Sequence, residues 1–467
     1  MHSVIKIVFL FFFFVEYFYA STMSDTVSNM MTKNKIDPSQ VSILIKDLHS
    51  GTTLVSHNAG TVRKPASVMK LFTTYSALLE MGVNFRWPTK LYYTGNYSNG
   101  VIHGDLIIKG YGDPTLSSKD VAKMVYRLKR LGVRAIDGNI ILDRSFFDTP
   151  ERVSSGFDKN KFSEYNAMPD AIMFNDHLVT VIVKPSGNII KIYKSTNDKS
   201  YNVINKIIPT TQICKGSRAW PRVLVNTDTK TPRITLMGTI STRCHPIYIK
   251  RLMTHSYSSF YYTFASQLKR VGIRYHGSMH LSKVPSGAKA LFTHYSRPLI
   301  DIVAKTLKKS NNLYARHIML LLGAKLYGAP ATIQKGREAE KYILSHNGLG
   351  NLYAKIDNGC GLSRASRVNS IALSRLLDSA NKKFGSRWRK ALSIAGIDGT
   401  IKRRFRHSIA RGRAWMKTGT LNDAKNIAGY VLSKSSHRLY SVVILYNGRE
   451  KWKGSSLQNQ IINWLAR

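Results

Sequence analysis

Ser67-Val-Met-Lys70 places a serine and a lysine three residues apart, near the N-terminus of this 467-residue chain. Pro65-Ala66 precede the serine, and apolar residues then recur at helical spacing as far as Gly82, so the stretch predicts a helix that begins at Ser67. Residues three apart share a helix face, which would hold the Lys70 amine beside the Ser67 hydroxyl. A serine hydroxyl needs such an adjacent base to act as a nucleophile at neutral pH.

A lysine acts as a base only if its pKa is lowered, either by burial or by a neighbouring cation. Free backbone N–H groups at the start of a helix would also favour the negative charge that develops during acyl transfer. The alternative is a lysine that only solvates the exposed face of an amphipathic helix. The same serine–lysine spacing occurs at Ser286-Gly-Ala-Lys289, within a Pro-Ser-Gly turn. The spacing alone is therefore weak evidence for a catalytic serine and lysine.

Two further short motifs follow in the chain, Ser310-Asn-Asn312 and Lys417-Thr-Gly419. The second leads toward an apolar run at 427–432 that is suited to a strand. If this strand lines the same cleft, Lys417 is the cation that lowers the pKa of Lys70. The three motifs, in this order, indicate one active site that uses a serine nucleophile.

The motifs are separated by about two hundred residues of different character. We expect residues 21–85 and 294–467 to form one discontinuous α/β catalytic domain, with residues 86–293 inserted as mostly β structure in two nested units. Helical periodicity predicts helices at 118–131, 258–271, 302–307, 312–327, 334–345, 371–380 and 456–466. Alternating or apolar runs predict strands at 41–45, 53–55, 104–108, 140–142, 179–183, 427–432 and 439–445.

Residues 1–20 resemble a signal peptide, with Lys6 before an apolar run and a small residue at Ala20. The alternative is an uncleaved membrane anchor, although the run is shorter than a spanning helix. Either interpretation predicts export.

Three cysteines fit an oxidising compartment. Cys214 and Cys244 flank two strand-like stretches and are expected to close a hairpin with a disulfide. Cys360 is left unpaired, and we interpret it as a small residue in a tight Gly-x-Gly turn, with a reactive thiol as the alternative. The fourteen histidines show no metal-binding spacing, so we expect neither a metal nor another cofactor.

The chain carries 70 Lys and Arg against 26 Asp and Glu, a net charge of +44. Outside the cytoplasm, the polyanions that would bind it are anionic cell-wall polymer or lipid headgroups. A basic bias of the whole proteome would give the same number without a function. Nucleic acid is disfavoured as a partner, because the basic residues are spread along the chain and no recognition motif accompanies them.

With these motifs, the chain resembles the low-molecular-mass class C penicillin-binding proteins, the D-alanyl-D-alanine carboxypeptidase/endopeptidase family, over nearly all of its mature length. The long insert between the first two motifs is a mark of this family. The resemblance includes further segments at Gly110–Leu116, Tyr165–Pro169, Gly361–Arg364, Ala395–Thr400 and Ala428–Tyr430. It implies an α/β (α+β) fold, in which helices flank an antiparallel sheet and two small, mostly β domains are nested in the insert.

The resemblance implies a serine-type peptidase that acts on peptidoglycan stem peptides and binds β-lactam antibiotics. Ser67 would attack the penultimate D-alanine and Lys70 would take its proton. Ser310 would relay a proton to the leaving amine, while Asn312 would hold Lys70 or the substrate amide. The alternatives are a serine β-lactamase, which needs a deacylating water and a Glu to place it, and a non-catalytic wall-binding homologue.

The resemblance also implies the groups that bind the substrate. Lys417 and Thr418 would meet the terminal carboxylate, and the backbone N–H groups of Ser67 and Thr420 would form the oxyanion hole. The remaining expected substrate contacts are Gly419, Arg364, Asn422 and Tyr165.

Two features depart from the family pattern. Asn358 and Cys360 replace the commoner Gly and Ser of a D-G-S-G-L-S run. The acidic residue that meets a substrate amine is either Asp158 or absent, with Asn160 in its place.

Overall fold

The computed structural model describes residues 23–350 and 353–467. The proposed signal peptide at residues 1–20 lies outside the described residues. Within these two ranges, no helix has the length and apolar character needed to cross a membrane. The chain forms two compact units: the first contains the described residues up to Phe85, Pro298–Leu322 and Ile333–Arg467, and the second contains Arg86–Arg297 and Gly323–Thr332.

The helices in the described ranges are α1 (23–33), α2 (Lys70–Met81), α3 (Ser118–Arg130), α4 (Ser256–Val271), α5 (Leu299–Lys309), α6 (Asn312–Tyr327), α7 (Ile333–Leu344), α8 (Ser370–Ala391) and α9 (Lys451–Leu465). Short 3-10 turns occur at Pro38–Gln40, Ala66–Met69, Glu164–Asn166, Asn175–His177, Gly216–Ala219 and Gly399–Ile401, and a π turn at Ser345–Leu349.

The strands are β1 (Val41–Asp47), β2 (Thr53–His57), β3 (Pro88–Tyr93), β4 (Asn96–Ser98), β5 (Val101–His103), β6 (Leu106–Gly110), β7 (Ala135–Ile136), β8 (Ile140–Asp143), β9 (Val179–Ser186), β10 (Ile189–Lys194), β11 (Asn202–Thr210), β12 (Arg222–Asn226), β13 (Arg233–Ser241), β14 (Ile247–Arg251), β15 (Arg274–Tyr275), β16 (Met279–Leu281), β17 (Lys289–Tyr295), β18 (Ala354–Lys355), β19 (Arg367–Val368), β20 (Ser393–Ile394), β21 (Ala414–Leu421), β22 (Ala424–Leu432) and β23 (Leu439–Tyr446).

The first unit is built on a six-stranded antiparallel sheet of order β2-β1-β23-β22-β21-β20. Helices cover both of its faces. On β23, Ser441 donates a hydrogen bond to Asp378 of α8, while Val442 lies in a core with Leu457 and Ile461 of α9. Because successive strand residues point to opposite faces, α8 and α9 lie on opposite sides of the sheet. This confirms the predicted α/β fold with helices flanking an antiparallel sheet.

The largest error among the predicted boundaries is at the end of α8. Helix α8 does not end near Ala380 but continues to Ala391, through a non-helical Gly385 with φ 52° and ψ −128°. The extension is anchored by Trp388, which is fully buried and donates its indole N–H to the Tyr430 hydroxyl at 3.0 Å. Residues 381–391 are mostly polar, so apolar periodicity alone predicts that the helix ends at Ala380.

The second unit contains two hydrophobic cores. One joins α3 and α4 to the sheet β16-β8-β6-β3-β17, with Phe260 and Leu142 fully buried in it. The other lies between the sheets β10-β9-β14 and β11-β13-β12. A disulfide joins Cys214 to Cys244 across 5.2 Å between their Cα atoms, bracketing the antiparallel pair β12 and β13.

Candidate active site

The turn before α2 holds the serine of the first motif. Ser67 lies in the 3-10 turn Ala66–Met69, and α2 begins only at Lys70, so the prediction that Ser67 opens the α-helix was wrong by three residues. Ala66 is buried with φ 50°, a conformation that few non-glycine residues adopt. The tighter turn still places the Lys70 Nζ 2.9 Å from the Ser67 Oγ.

Lys70 is fully buried and its ammonium donates to three acceptors. Besides Ser67, these are the Asn312 Oδ1 at 2.7 Å and the backbone carbonyl of Cys360 at 2.5 Å. Burial lowers the pKa of Lys70 to about 8; the Cys360 thiol opposes this shift, and the Arg316 guanidinium adds to it. An appreciable fraction of Lys70 is therefore neutral near physiological pH and able to accept a proton.

The second and third motifs meet in the same unit. Ser310 ends α5 in a left-handed conformation with φ 54°, and its Oγ accepts a hydrogen bond from the Lys417 Nζ at 2.9 Å. Lys417 also donates to the Thr418 carbonyl at 2.6 Å. It is fully buried, and burial, followed by the Lys70 charge, lowers its pKa well below the usual value. Two lysines therefore share one water-poor site.

Strand β21 approaches the Ser67 turn so closely that only glycine fits at position 419. A Cβ atom on Gly419 would lie 2.8 Å from the Pro65 carbonyl and 3.0 Å from the Ser67 nitrogen. Asn426 of β22 holds the turn from the same side, donating to the Pro65 carbonyl at 2.9 Å. Thr420 follows on β21 and is exposed. The segment of β21 that contains Thr420 thus packs directly against the Ser67 turn.

The loop around Cys360 completes the wall of the site. Gly359 and Gly361 both have positive φ, and a Cβ atom on Gly361 would come within 1.9 Å of the Ala66 carbonyl. The Thr73 hydroxyl of α2 donates to the Gly359 carbonyl at 2.9 Å. Cys360 itself is fully buried, with its Sγ 3.1 Å from the Asn358 Oδ1. The sequence identified the tight turn, but not that its backbone carbonyl binds Lys70.

Other predicted substrate contacts in this unit lie at the surface. Thr418 donates to the Thr400 hydroxyl at 2.7 Å. Arg364 is exposed just after the Cys360 loop, and Asn422 is exposed in the turn between β21 and β22. Within 23–350 and 353–467, no group of three or more His, Cys, Asp or Glu side chains is arranged to hold a metal ion.

Tyr165 belongs to the second unit, in the turn Glu164–Asn166, and is partly buried. Its hydroxyl donates to the Asp158 Oδ2 at 2.8 Å. Asp158 also accepts from the Asn166 side chain and from the Asn160 backbone N–H, each at 3.0 Å. Asp158 is therefore the charged centre of this cluster, and Asn160 only supports it.

A model of the D-Ala-D-Ala carboxypeptidase 3 (S13) family matches residues 23–467. The chain is 24% identical over 418 residues to the D-alanyl-D-alanine carboxypeptidase DacB of Haemophilus influenzae, covering 88% of this chain and 86% of that protein. It is 26% identical over 419 residues to the D-alanyl-D-alanine carboxypeptidase of Actinomadura sp. strain R39, covering 86% and 77%.

Solved structures show the same fold. Penicillin-binding protein 4 of Haemophilus influenzae superposes with a TM-score of 0.78 at 24% identity, covering 94% of this chain and 99% of that one. A penicillin G-acylated predatory endopeptidase of Bdellovibrio bacteriovorus gives a TM-score of 0.51 at 17% identity, covering 91% and 93%. Because the family model spans the described chain from end to end, this protein belongs to the D-Ala-D-Ala carboxypeptidase 3 (S13) family, that of the low-molecular-mass class C penicillin-binding proteins.

Proposed function

We propose that this protein is a serine-type peptidase that hydrolyses the D-Ala-D-Ala ends of peptidoglycan stem peptides, D-Ala–diaminopimelate crosslinks, or both, through an acyl-enzyme. The observation that carries the proposal is the 2.9 Å contact between the Ser67 Oγ and a fully buried Lys70 amine. This is a nucleophile paired with a base whose pKa suits proton transfer near neutral pH. Family membership supports the same reaction class.

Acylation follows from the positions of these groups. The Ser67 Oγ attacks the carbonyl carbon of the penultimate D-alanine while neutral Lys70 takes the hydroxyl proton. The backbone N–H groups of Ser67 and Thr420 receive the oxyanion, a contact of a kind that contributes about 3 kcal/mol per donor. Asn312 keeps the Lys70 amine directed at Ser67 throughout, since it accepts from the same nitrogen at 2.7 Å.

Breakdown of the tetrahedral intermediate needs a proton on the leaving amine. Ser310 supplies it, with its hydroxyl held by Lys417 at 2.9 Å so that the lysine can restore the proton. The C–N bond breaks, the amine leaves and Ser67 carries the acyl group as an ester. The proton that Lys70 took from Ser67 passes on to the Ser310–Lys417 pair, which leaves Lys70 neutral again. Water then attacks the ester while Lys70 takes a proton from it, and this proton passes to the Ser67 Oγ as the shortened peptide leaves.

The substrate is held by groups around β21. Lys417 and Thr418 bind the carboxylate on the leaving side, and Gly419 allows the backbone to lie against the Ser67 turn. Arg364 and Asn422, both exposed, contact the peptide.

In the second unit, Tyr165 and Asp158 recognise the peptide and its free amine, a role that rests on the family resemblance.

The cellular setting is part of the same proposal. Residues 1–20 direct export to the periplasm, and residues 86–293 form an insert in a catalytic domain made of 21–85 and 294–467. The net charge of +44 favours contact with anionic wall polymer or membrane headgroups, which salt would weaken.

Digestion of purified cell-wall peptides, with products separated by mass, tests the proposal directly. The expected products lack the terminal D-alanine or are halves of crosslinked dimers, and labelled penicillin should form a slowly hydrolysed adduct. Rapid turnover of penicillin would instead indicate a β-lactamase. Absence of both label and products would indicate a non-catalytic wall-binding protein.

The activity should rise with pH and level off above about 8, because acylation requires Lys70 in its neutral form and burial sets its pKa there. The measurement is kcat/KM for a D-Ala-D-Ala peptide over a pH series, restricted to conditions in which circular dichroism shows folded protein. A profile that instead falls as the pH rises toward 8 would assign Lys70 a protonated role and contradict this mechanism.

A further inference from the structure

The chain enters the Ser67 turn through a strained backbone conformation. Ala66 is buried and has φ 50°, although it is not a glycine. A residue with a Cβ atom keeps such a conformation only where the surrounding structure holds it there. Because Ala66 directly precedes Ser67, its backbone dihedral angles set the direction of the Ser67 N–H group and the position of the serine side chain. The contacts that hold the preceding residues therefore bear on the nucleophile.

Asn426 provides the first of these contacts. In the pairing of β21 with β22 it lies directly opposite Gly419, the residue whose missing side chain lets Pro65 approach the sheet. Asn426 is fully buried, and its Nδ2 donates to the Lys64 carbonyl at 2.7 Å and to the Pro65 carbonyl at 2.9 Å. Both donors of this side-chain amide are thus used on the two residues that precede the strained alanine.

Asn447, which directly follows β23, provides the second contact. Its Oδ1 accepts from the Lys64 N–H at 2.7 Å, and its Nδ2 donates to the Lys64 carbonyl at 3.3 Å. The Asn447 N–H donates in turn to the Gln40 carbonyl at 2.9 Å, which ties this residue to the start of β1. The Lys64 side chain adds little, because its ion pair with Asp423 is close to half exposed. Both backbone polar groups of Lys64 are therefore held by asparagine side chains.

We infer that Asn426 and Asn447 are positioning residues for the nucleophile Ser67. They fix the two residues before the strained alanine, so that the alanine keeps its left-handed conformation and the serine keeps its place beside the Lys70 amine. The inference rests on the proposed function, because it concerns the same acylation step. Neither asparagine is assigned a contact with the substrate. Without them the turn can relax, and a nucleophile displaced by about 1 Å loses about two orders of magnitude in rate.

The test compares the rate constant of acylation by labelled penicillin among folded variants. Asn426→Ala should lower it about 100-fold, because the two carbonyls lose the side chain that fixes them. Asn447→Ala should lower it about tenfold, whereas Asn447→Asp should stay within about threefold of the wild type, since a carboxylate still accepts from the Lys64 N–H.

Asn34→Ala is the matched control. Asn34 is also a buried asparagine of the first unit, and it donates to a backbone carbonyl, that of Met30, at 2.7 Å. Its contacts are with α1 and with Gln460 of α9, not with the Ser67 turn. The substitution should lower the melting temperature and leave the acylation rate unchanged.

Binding of a D-Ala-D-Ala peptide, measured by calorimetry in Ser67→Ala, separates positioning of the nucleophile from loss of the whole cleft. Adding Asn426→Ala should change Kd by less than about twofold. An acylation rate within about threefold of the wild type in Asn426→Ala, or a loss matched by an equal loss of peptide affinity, would overturn the inference. Asn447 is only partly buried, so Asn447→Ala serves if Asn426→Ala does not fold, and an unchanged acylation rate there would overturn the inference as well.

Failure of the proposed function gives a different result. A wild type that penicillin labels but that cleaves no peptide would refute that function and leave the acylation comparison intact. If the wild type is not labelled either, amide hydrogen exchange decides the inference, because it needs no reaction. The backbone amides of residues 66–69 should exchange at least about tenfold faster in Asn426→Ala than in the wild type, and equal rates would overturn the inference.

Discussion

Ser67→Ala is expected to abolish covalent labelling by penicillin and to lower kcat on D-Ala-D-Ala peptides by about 10⁴-fold or more. The substitution removes the hydroxyl whose oxygen lies 2.9 Å from the Lys70 amine, and with it the proposed nucleophile. The fold should survive it, because Lys70 keeps its hydrogen bonds to the Asn312 side chain and the Cys360 carbonyl. The buried amine is then not left without acceptors.

Ser286→Ala provides the matched control, since Ser286 carries the same spacing to Lys289 but lies in a turn of the second unit. It should leave labelling and turnover as in the wild type. Both variants are to be compared by gel fluorescence of labelled penicillin and by melting temperature. A covalent adduct that persists in folded Ser67→Ala would refute Ser67 as the nucleophile.

The sequence predicted the fold through short-range patterns. Helices α2, α6 and α9 and strands β22 and β23 follow apolar periodicities that a single segment contains. The pairing of β1 with β23 joins residues about four hundred positions apart, and no local pattern specifies such a partner. The end of α8 was missed for a related reason, because a single buried Trp388 holds it against Tyr430 of a distant strand.

The site was predictable where side chains carry the chemistry. Ser67, Lys70, Asn312, Ser310 and Lys417 were all named from their motifs, and the structure brings them into two hydrogen-bonded sets. What the motifs could not give are the contributions of backbone and burial. Every residue type carries a backbone carbonyl, so nothing in the sequence identifies the carbonyl of Cys360 as an acceptor for Lys70.

The effect of the Arg316 charge on the pKa of Lys70 was also not predicted, because the burial of an arginine beside Lys70 depends on tertiary packing. A buried acid on the next helix, Glu340, was missed in the same way.

Glu340 lies on α7, which packs against α2, the helix that carries Lys70. It is fully buried, and within the described residues neither carboxyl oxygen has a hydrogen-bond partner at normal distance. The nearby Thr73 hydroxyl, which favours the ionised form, donates instead to the Gly359 carbonyl. Burial dominates and raises the pKa of Glu340 to about 8. The acid is therefore mostly protonated in the folded protein at neutral pH.

This burial makes stability depend on pH in a specific direction. Between about pH 4.5 and 8 the unfolded chain loses the Glu340 proton while the folded protein keeps it, so the wild type should lose stability as the pH rises and level off above 8. Glu340→Gln has no proton to lose. At pH 8 it should exceed the wild type by about 3–5 kcal/mol in free energy of unfolding, relative to their difference below pH 4.5.

Denaturant unfolding of both proteins at a series of pH values measures this difference. Glu338→Gln on the same helix is the matched control, because Glu338 is exposed and its neutralisation should alter stability little at any pH. If the difference between Glu340→Gln and the wild type does not change with pH, Glu340 is already ionised in the folded state. A charged carboxylate would then have to be accommodated between α7 and α2, and the assignment of a protonated Glu340 to the folded protein would be wrong.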